Sequence, residues 1–409
     1  MTQPPSPTLQ LLARLALALA LTAPLSCAPL GLAPRTGQVA CWPLFPYVEG
    51  WLGADGAYSL PLSGGQSLWL FGDTFVGIPG QADRTGAQFI NNSVAVSDCD
   101  SGERFAIRYF WGRSADGSAR AFFHREGRGW WWPLGAFRHA ERLYVGLLEV
   151  QAARPAGPLG VNFRLTGTSL ARIETRGDDP TAWRIEVLPL SKGRNAFPLS
   201  ALVVHASHLY LFAFLGREDG HSPRILTRLP LASLEGASAN PGAALETLAA
   251  DGRWLPGLRA EDARILMDDD ATEMTVHFHA SLGRWLALYS FPELSGDFPA
   301  TRPSDAVWAR TAEALEGPWS ERRLVFRVPE LAEGPLASGD PNTGCYGAKE
   351  QPQFARPGSL TFTYVCNLFS GPSPQPLAIL ERLLREMDLY RPVAVTVTLP
   401  GEPEAAIAP

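Results

Sequence analysis

The sequence predicts an all-β chain folded as a five-bladed β-propeller, a single domain with one short helical insertion near the C-terminus. Three observations point that way: a strand–turn–strand pattern that recurs five times, a wealth of turn-forming residues, and almost no helical periodicity. The 39 Gly and 36 Pro, set among 12 Trp and 20 Phe, suit short aromatic-rich strands joined by tight turns. A length of 409 residues exceeds the usual single domain, but repeat-built β folds reach it as one unit.

The first hairpin runs through residues 56–62, turns at Ser63-Gly64-Gly65-Gln66 and returns along 68–72. The second uses 133–137, a turn near Ala140-Glu141 and 143–147; the third uses 198–204, a turn near Ala206-Ser207 and 209–212. In the fourth, 274–278 turns at Ser281-Leu282-Gly283-Arg284 into 285–289. The fifth is read as Gln353-Phe354, a turn at Arg356-Pro357-Gly358, and 360–364. A third strand follows most of them, at 161–173, 225–229 and 306–310. Units of several strands recurring at roughly 65–75 residues fit blades better than a sandwich, whose strands do not recur as sets. The helical exception is 377–387, apolar at helical spacing and read as a surface insertion before a last strand at 393–397.

Arg14, the apolar run 15–21 and the small residues ending at Cys27 form a secretory signal over 1–27, too short to span a membrane. Leu25-Ser26-Cys27 also resembles a lipoprotein cleavage site, so membrane attachment is expected only through a lipid on Cys27, and the location is the cell envelope or outside it. A Pro/Ala-rich linker (28–40) and tail (401–409) flank the propeller (41–400). After signal removal Cys41, Cys99, Cys345 and Cys366 remain. Cys345 and Cys366 flank one hairpin and can pair across it, which leaves Cys41 with Cys99; free buried thiols are the alternative. The net charge of −6 is not clustered and no basic stripe interleaves with aromatics, which argues against nucleic acid as a partner. A monomer is expected.

Propeller geometry turns this pattern into a site. The first strand of each blade lines the central channel, so residues that enter those strands converge on one face. Counting back along each hairpin brings Asp55, Trp132, Phe197, Glu273 and Glu350 to equivalent places, with Asp73 at the same rim. Glycoside hydrolysis needs one carboxylic acid and one carboxylate, and crowded, desolvated acids separate into those roles. Asp55 is assigned the base or nucleophile role and Glu273 the acid, with Asp73 as second choice or as a tuning group. Trp131, Trp132 and Phe197 could stack on sugar faces, and Asn92 could orient a ligand. No redox cofactor is expected, no metal ligands are assigned, and calcium at the channel finds no support. Asp268-Asp269-Asp270 reads as a solvated loop in preference to a calcium site, and His277 and His279, on one strand face, as structural.

The residues 53–59, then Leu68-Trp69-Leu70-Phe71-Gly72-Asp73-Thr74-Phe75 and Asn92-Ser93, resemble the opening of the bacterial domains of unknown function 4185 and 5005. The segment Tyr346-Gly347-Ala348-Lys349-Glu350-Gln351-Pro352, with Thr363-Tyr364 and Asn367, is similar to their last-blade motif. The resemblance spans roughly 45–400 and implies a five-bladed propeller shaped like furanosidases, with acids at Asp55 and Asp73 and with Lys349 and Asn367 beside the substrate; some members are endo-D-arabinanases. Glu350-Gln351-Pro352 departs from the small residue and His expected before that proline. The function expected is hydrolysis of a furanoside or arabinan-like polysaccharide; the alternative is a surface propeller that only binds carbohydrate or protein. Sialidase Asp-boxes and the WD40 and kelch signatures are absent.

Overall fold

The computed structural model describes residues 41–399 apart from 101–103, 154–162, 178, 194, 218–220, 237–238, 291–292, 295–300, 303–305, 333–342 and 369–375. The expected signal, linker, Cys27 and tail lie outside the described residues. Five antiparallel sheets follow one another along the chain as blades. Blade one is built from Trp51–Pro61, Ser67–Val76, Ser93–Asp100 and Arg104–Phe110, and blade two from Trp130–His139, Arg142–Ala152, Phe163–Glu174 and Arg184–Lys192. Blade three starts with Ala196–His205, His208–Leu215 and Arg224–Pro230; blade four is Met274–His279, Arg284–Tyr289, Ala306–Ala312 and Arg323–Arg327. Blade five has three strands, Thr343–Glu350, Ser359–Leu368 and Val393–Thr398.

Each first strand packs against the first strands of the blades on either side, and the fifth meets the first, so the ring is closed. The strands alternate in the way a sandwiched blade requires, with fully buried Leu143, Val145 and Leu147 on one strand and Leu209 and Leu211 on the next blade meeting in one core. Both expected disulfides are present. Cys41–Cys99 ties the segment ahead of blade one to that blade's third strand, and Cys345–Cys366 joins two directly paired residues of blade five.

Among the described residues no strand is exchanged between the last and first blades; side chains close the ring. Gln351, fully buried, donates its amide to the Ala57 carbonyl at 2.8 Å and to Thr363 Oγ1 at 2.9 Å, while its Oε1 accepts from Ser59. Gln353 reaches Ser59 Oγ at 2.6 Å, and Phe354 stacks on Trp69 at 5.5 Å. The residue that stands where the last-blade motif has His is therefore the clasp of the ring.

The helix is Pro376–Arg385, shorter at its end than the sequence suggests because Met387 already belongs to the loop beyond it. It is more than a surface insertion. Its Leu383 and Leu384 pack with Met387 and Tyr390 on Leu52 and Phe75 of blade one, a second bridge across the closure.

In the acidic run Asp268 is exposed, as expected of a solvated loop, but Asp269 and Asp270 are held by protein donors. Asp269 is 6 % exposed and accepts from Arg310 Nε at 2.7 Å, Arg322 Nη1 at 3.2 Å and the Tyr289 hydroxyl. Burial works against its charge, but these donors prevail and hold the carboxyl below the usual range. Asp270 accepts from the Ser222 amide at 2.7 Å, so the run pins blade three's edge to blade four.

Two stability outcomes follow. Gln351→Leu leaves the Ala57 carbonyl and the Ser59 hydroxyl without their partner and should cost about 2–3 kcal/mol in urea denaturation. Asp269→Asn, which strands buried guanidinium charge, should cost about 3–5 kcal/mol in the same assay.

Candidate active site

Asp55 sits on the first strand of blade one where the pairing with Ser67–Val76 slips repeatedly, at Trp51/Ala54, Ala54/Gly56 and Gly56/Tyr58. These bulges bend the strand and aim the carboxyl into the mouth of the channel. Gly72, opposite, leaves the space: a β-carbon there would collide with Asp55 Oδ1. The pair Gly72-Asp73 thus provides both a cradle for one acid and the next acid.

Asp55 Oδ2 accepts from the Tyr346 hydroxyl at 2.7 Å, and Asp73 Oδ1 accepts from Trp132 Nε1 at 2.7 Å and Asn91 Nδ2 at 3.3 Å. Glu273, immediately ahead of blade four's first strand, takes Lys349 Nζ at 2.6 Å on its Oε2. That ammonium is fully buried; it also donates to the Gly347 carbonyl at 2.9 Å and lies 4.6 Å over the Tyr58 ring. Asp55, Asp73 and Glu273 are half-buried, so they remain open to the channel.

The electrostatics follow from this crowding. Burial first, then the neighbouring Asp73 and Glu273, push the Asp55 carboxyl up to about 8, against the pull of the Tyr346 hydroxyl and Lys349. Burial lifts Asp73 to about 6, opposed by its Trp132 and Asn91 donors. Three carboxyls share one ammonium, and the shortfall is met by keeping a proton on Asp55 at neutral pH.

The structure separates the other expected residues. Glu350 is the last residue of its strand, not the first, because the short helical turn Pro352–Phe354 lengthens the blade-five connection beyond a tight hairpin. Tyr346 takes the place beside Asp55. Glu350 is buried instead between His277 Nδ1 at 3.0 Å and His279 Nε2 at 3.1 Å. Burial raises its carboxyl, but the two imidazoles outweigh that and bring it to about 2.

Asn92 is consumed structurally. It donates to the carbonyls of Trp131 at 2.9 Å and Phe123 at 3.1 Å and accepts from the Phe123 amide at 2.7 Å, fastening blade one to the start of blade two. Its neighbour Asn91 is the one that reaches an acid. Phe197 stacks on Phe214 at 5.1 Å within the core, and Arg125 covers the Trp131 ring at 6.0 Å. Lys349 partners Glu273 and is enclosed, and Asn367 Nδ2 lies 3.5 Å from the Tyr346 hydroxyl. Tyr346 lay inside the motif read from sequence, but nothing in the pattern marked its hydroxyl. Among the described residues no group of three or more His, Cys, Asp or Glu is arranged to hold a metal ion.

Residues 43–230 match the family model described as domain of unknown function (DUF5005). No curated protein shows significant sequence similarity to the chain. A Bacteroides ovatus protein, described provisionally as a hydrolase, superimposes with a TM-score of 0.59 at 16% identity, over 85% of this chain and 86% of that one. Lower similarity is found to a Xanthomonas citri GH43_1 enzyme complexed with xylotriose (TM-score 0.42, 13% identity, 87% and 89% covered). An endo-arabinase from Bacteroides thetaiotaomicron is comparable (TM-score 0.41, 13% identity, 85% and 95% covered). The likeness to the Bacteroides ovatus protein is one of fold. The stretch that matches this model, residues 43–230, forms blade one, blade two and the start of blade three of the five-bladed propeller.

Proposed function

We propose that this protein is an exported glycoside hydrolase that acts on a polysaccharide, of furanoside or arabinan type, at the Asp55–Asp73–Glu273 cluster. The observation that supports it is the division of charge among three carboxyls at one channel mouth. An acid that must donate a proton to a leaving oxygen has to hold that proton at working pH, and Asp55 does so. A base or nucleophile must be ionised, and Glu273 has a buried ammonium as its partner. This reverses the roles expected from the sequence: Asp55 is the acid, Glu273 the base or nucleophile, and Asp73 keeps the Asp55 proton in place. The indole of Trp132, held by Asp73, forms part of the wall on which a sugar would lie. The two disulfides support export to an oxidising compartment.

The mature protein and its Asp55→Asn and Glu273→Gln variants should be assayed for product release on a polysaccharide panel that includes arabinans. Each substitution should lower kcat/KM by about 100- to 1,000-fold with the fold intact. Binding of a polysaccharide by all three proteins, with no cleavage by any, would instead establish a carbohydrate-binding propeller.

The same carboxyl leaves a mark on stability. Asp55 holds its proton to about pH 8 when folded and loses it near pH 4 when unfolded, so between those values the folded state binds more protons. Stability is then greatest at low pH and declines as pH rises through the window; Asp73 adds to the decline below about pH 6. Asp55→Asn should flatten this slope and exceed the wild type at pH 8 by more than about 1 kcal/mol, measured by urea denaturation across pH.

A further inference from the structure

We propose that Tyr346 is a positioning residue for the acid: its hydroxyl holds Asp55 Oδ2, so that the proton given to the leaving oxygen sits on Oδ1. The proposal rests on the reading of Asp55 as the acid and names the oxygen and the partner through which it acts.

Tyr346 and Lys349 stand three residues apart on the first strand of blade five, and a regular strand would send them to opposite faces. They reach the same acid cluster because the strand is bulged between them. Tyr346 pairs with Val365 and Lys349 with Thr363, so the first strand carries one residue more than its partner. Gly347 takes the bend at φ +68°, and a β-carbon there would press on Lys349 Nζ at 3.2 Å. One irregularity thus delivers a phenol to Asp55 at 2.7 Å and an ammonium to Glu273 at 2.6 Å.

The phenol has one proton, and its surroundings decide where it points. Asn367 lies on the neighbouring strand, and its Oδ1 accepts from the Leu368 amide at 2.8 Å. That fixes the side-chain amide so that Nδ2 faces the Tyr346 oxygen, at 3.5 Å. A phenol oxygen approached by an N–H turns its own proton to the other partner, here Asp55 Oδ2. A covalent tie holds both residues: Cys345 precedes Tyr346, Cys366 precedes Asn367, and the two cysteines are joined.

In a protonated carboxyl the oxygen that accepts from a phenol is the carbonyl oxygen, which leaves the acidic hydrogen on Oδ1. Oδ1 is also the oxygen for which Gly72 leaves room. During hydrolysis that hydrogen passes as a proton to the glycosidic oxygen. The bond from this oxygen to the anomeric carbon breaks, and its electron pair stays on the oxygen. A water supplies hydroxide to the carbon, and its remaining proton returns to the carboxyl pair. Asp55 is left ionised, a state in which the phenol's bond to Oδ2 is stronger.

The groups facing Asp55 are Asp73 from the second strand of blade one, Glu273 from blade four, Tyr346 and Lys349 from blade five, and Tyr390, whose backbone carbonyl lies against Gly53. The Tyr346 bond favours the ionised form of Asp55, so its removal should make the carboxyl hold its proton to higher pH.

The test follows the Asp55 carboxyl by carbon-13 NMR titration of the folded protein, in the wild type, Tyr346→Phe and Asn367→Ala. The midpoint should move up by about 0.5–1 in pH in Tyr346→Phe. It should move the same way, by less, in Asn367→Ala, which carries the test if the first variant does not fold. On a polysaccharide that is cleaved, kcat of Tyr346→Phe should fall about 10- to 100-fold with KM little changed, and the alkaline limb of the pH profile should move up with the midpoint. A midpoint that moves down would mean that the phenol accepts the acid's proton, and would overturn the assignment to Oδ1. An unmoved midpoint in folded variants, with only a lowered Tm, would overturn the proposal and leave Tyr346 as packing. A midpoint that moves up in a protein that cleaves no polysaccharide would sustain Tyr346 as the holder of Asp55 and overturn the hydrolase reading instead.

Discussion

The amide of Gln351 fastens blade five to the Ala57 carbonyl of blade one, two residues after Asp55. A propeller is a ring of sheets in which each blade covers its neighbours' faces, and the last and first blades have no chain connection across their junction. Among the described residues no strand is exchanged to cover that seam, and a buried amide, the Phe354–Trp69 stack and the Arg84 guanidinium hold it. The same seam brings Tyr346 and Lys349 to acids that belong to blades one and four. Closure of the ring and assembly of the site are one event.

That arrangement makes charge balance the governing feature of the mouth. Three carboxyls and a single enclosed ammonium cannot all be ionised cheaply in a half-buried space, and the group with most carboxylate neighbours, Asp55, keeps its proton to about pH 8. Glu350, one residue beyond Lys349, shows the opposite outcome. Successive strand residues face opposite ways, so Lys349 turns to Glu273 while Glu350 turns to His277 and His279, where two imidazoles carry its charge down to about 2. Two adjacent residues on one strand thus serve two separate electrostatic environments.

The Asp269–Arg310–Tyr289 cluster is a second buried polar network, held by ion pairing and hydrogen bonds instead of by apolar packing. Its three consecutive aspartates had the composition of a loop or an ion site. The arginines that make it a bracket come from Arg224, on a different blade, and from Arg310 and Arg322, more than forty residues downstream. Asn92 is a similar case: an amide that could orient a ligand is used up on the backbone of the next blade.

The sequence by itself determined the number of blades, and it pointed to the two disulfide pairings and to Asp55, Asp73 and Glu273 as neighbours across blades. Each of these depends on local patterning: hairpin periodicity, turn chemistry, or a residue's offset from the strand it enters. The count failed at Glu350 because Pro352–Phe354 adds a helical turn to a connection that the pattern reads as tight, which shifts the strand's far end into the position assigned to its start. Only the tertiary structure decided which carboxyl holds a proton, since that depends on desolvation and on charges from three blades, none of them neighbours in sequence. It alone placed Arg84 across the seam, because its contacts join residues some 300 positions apart, and no local propensity encodes them.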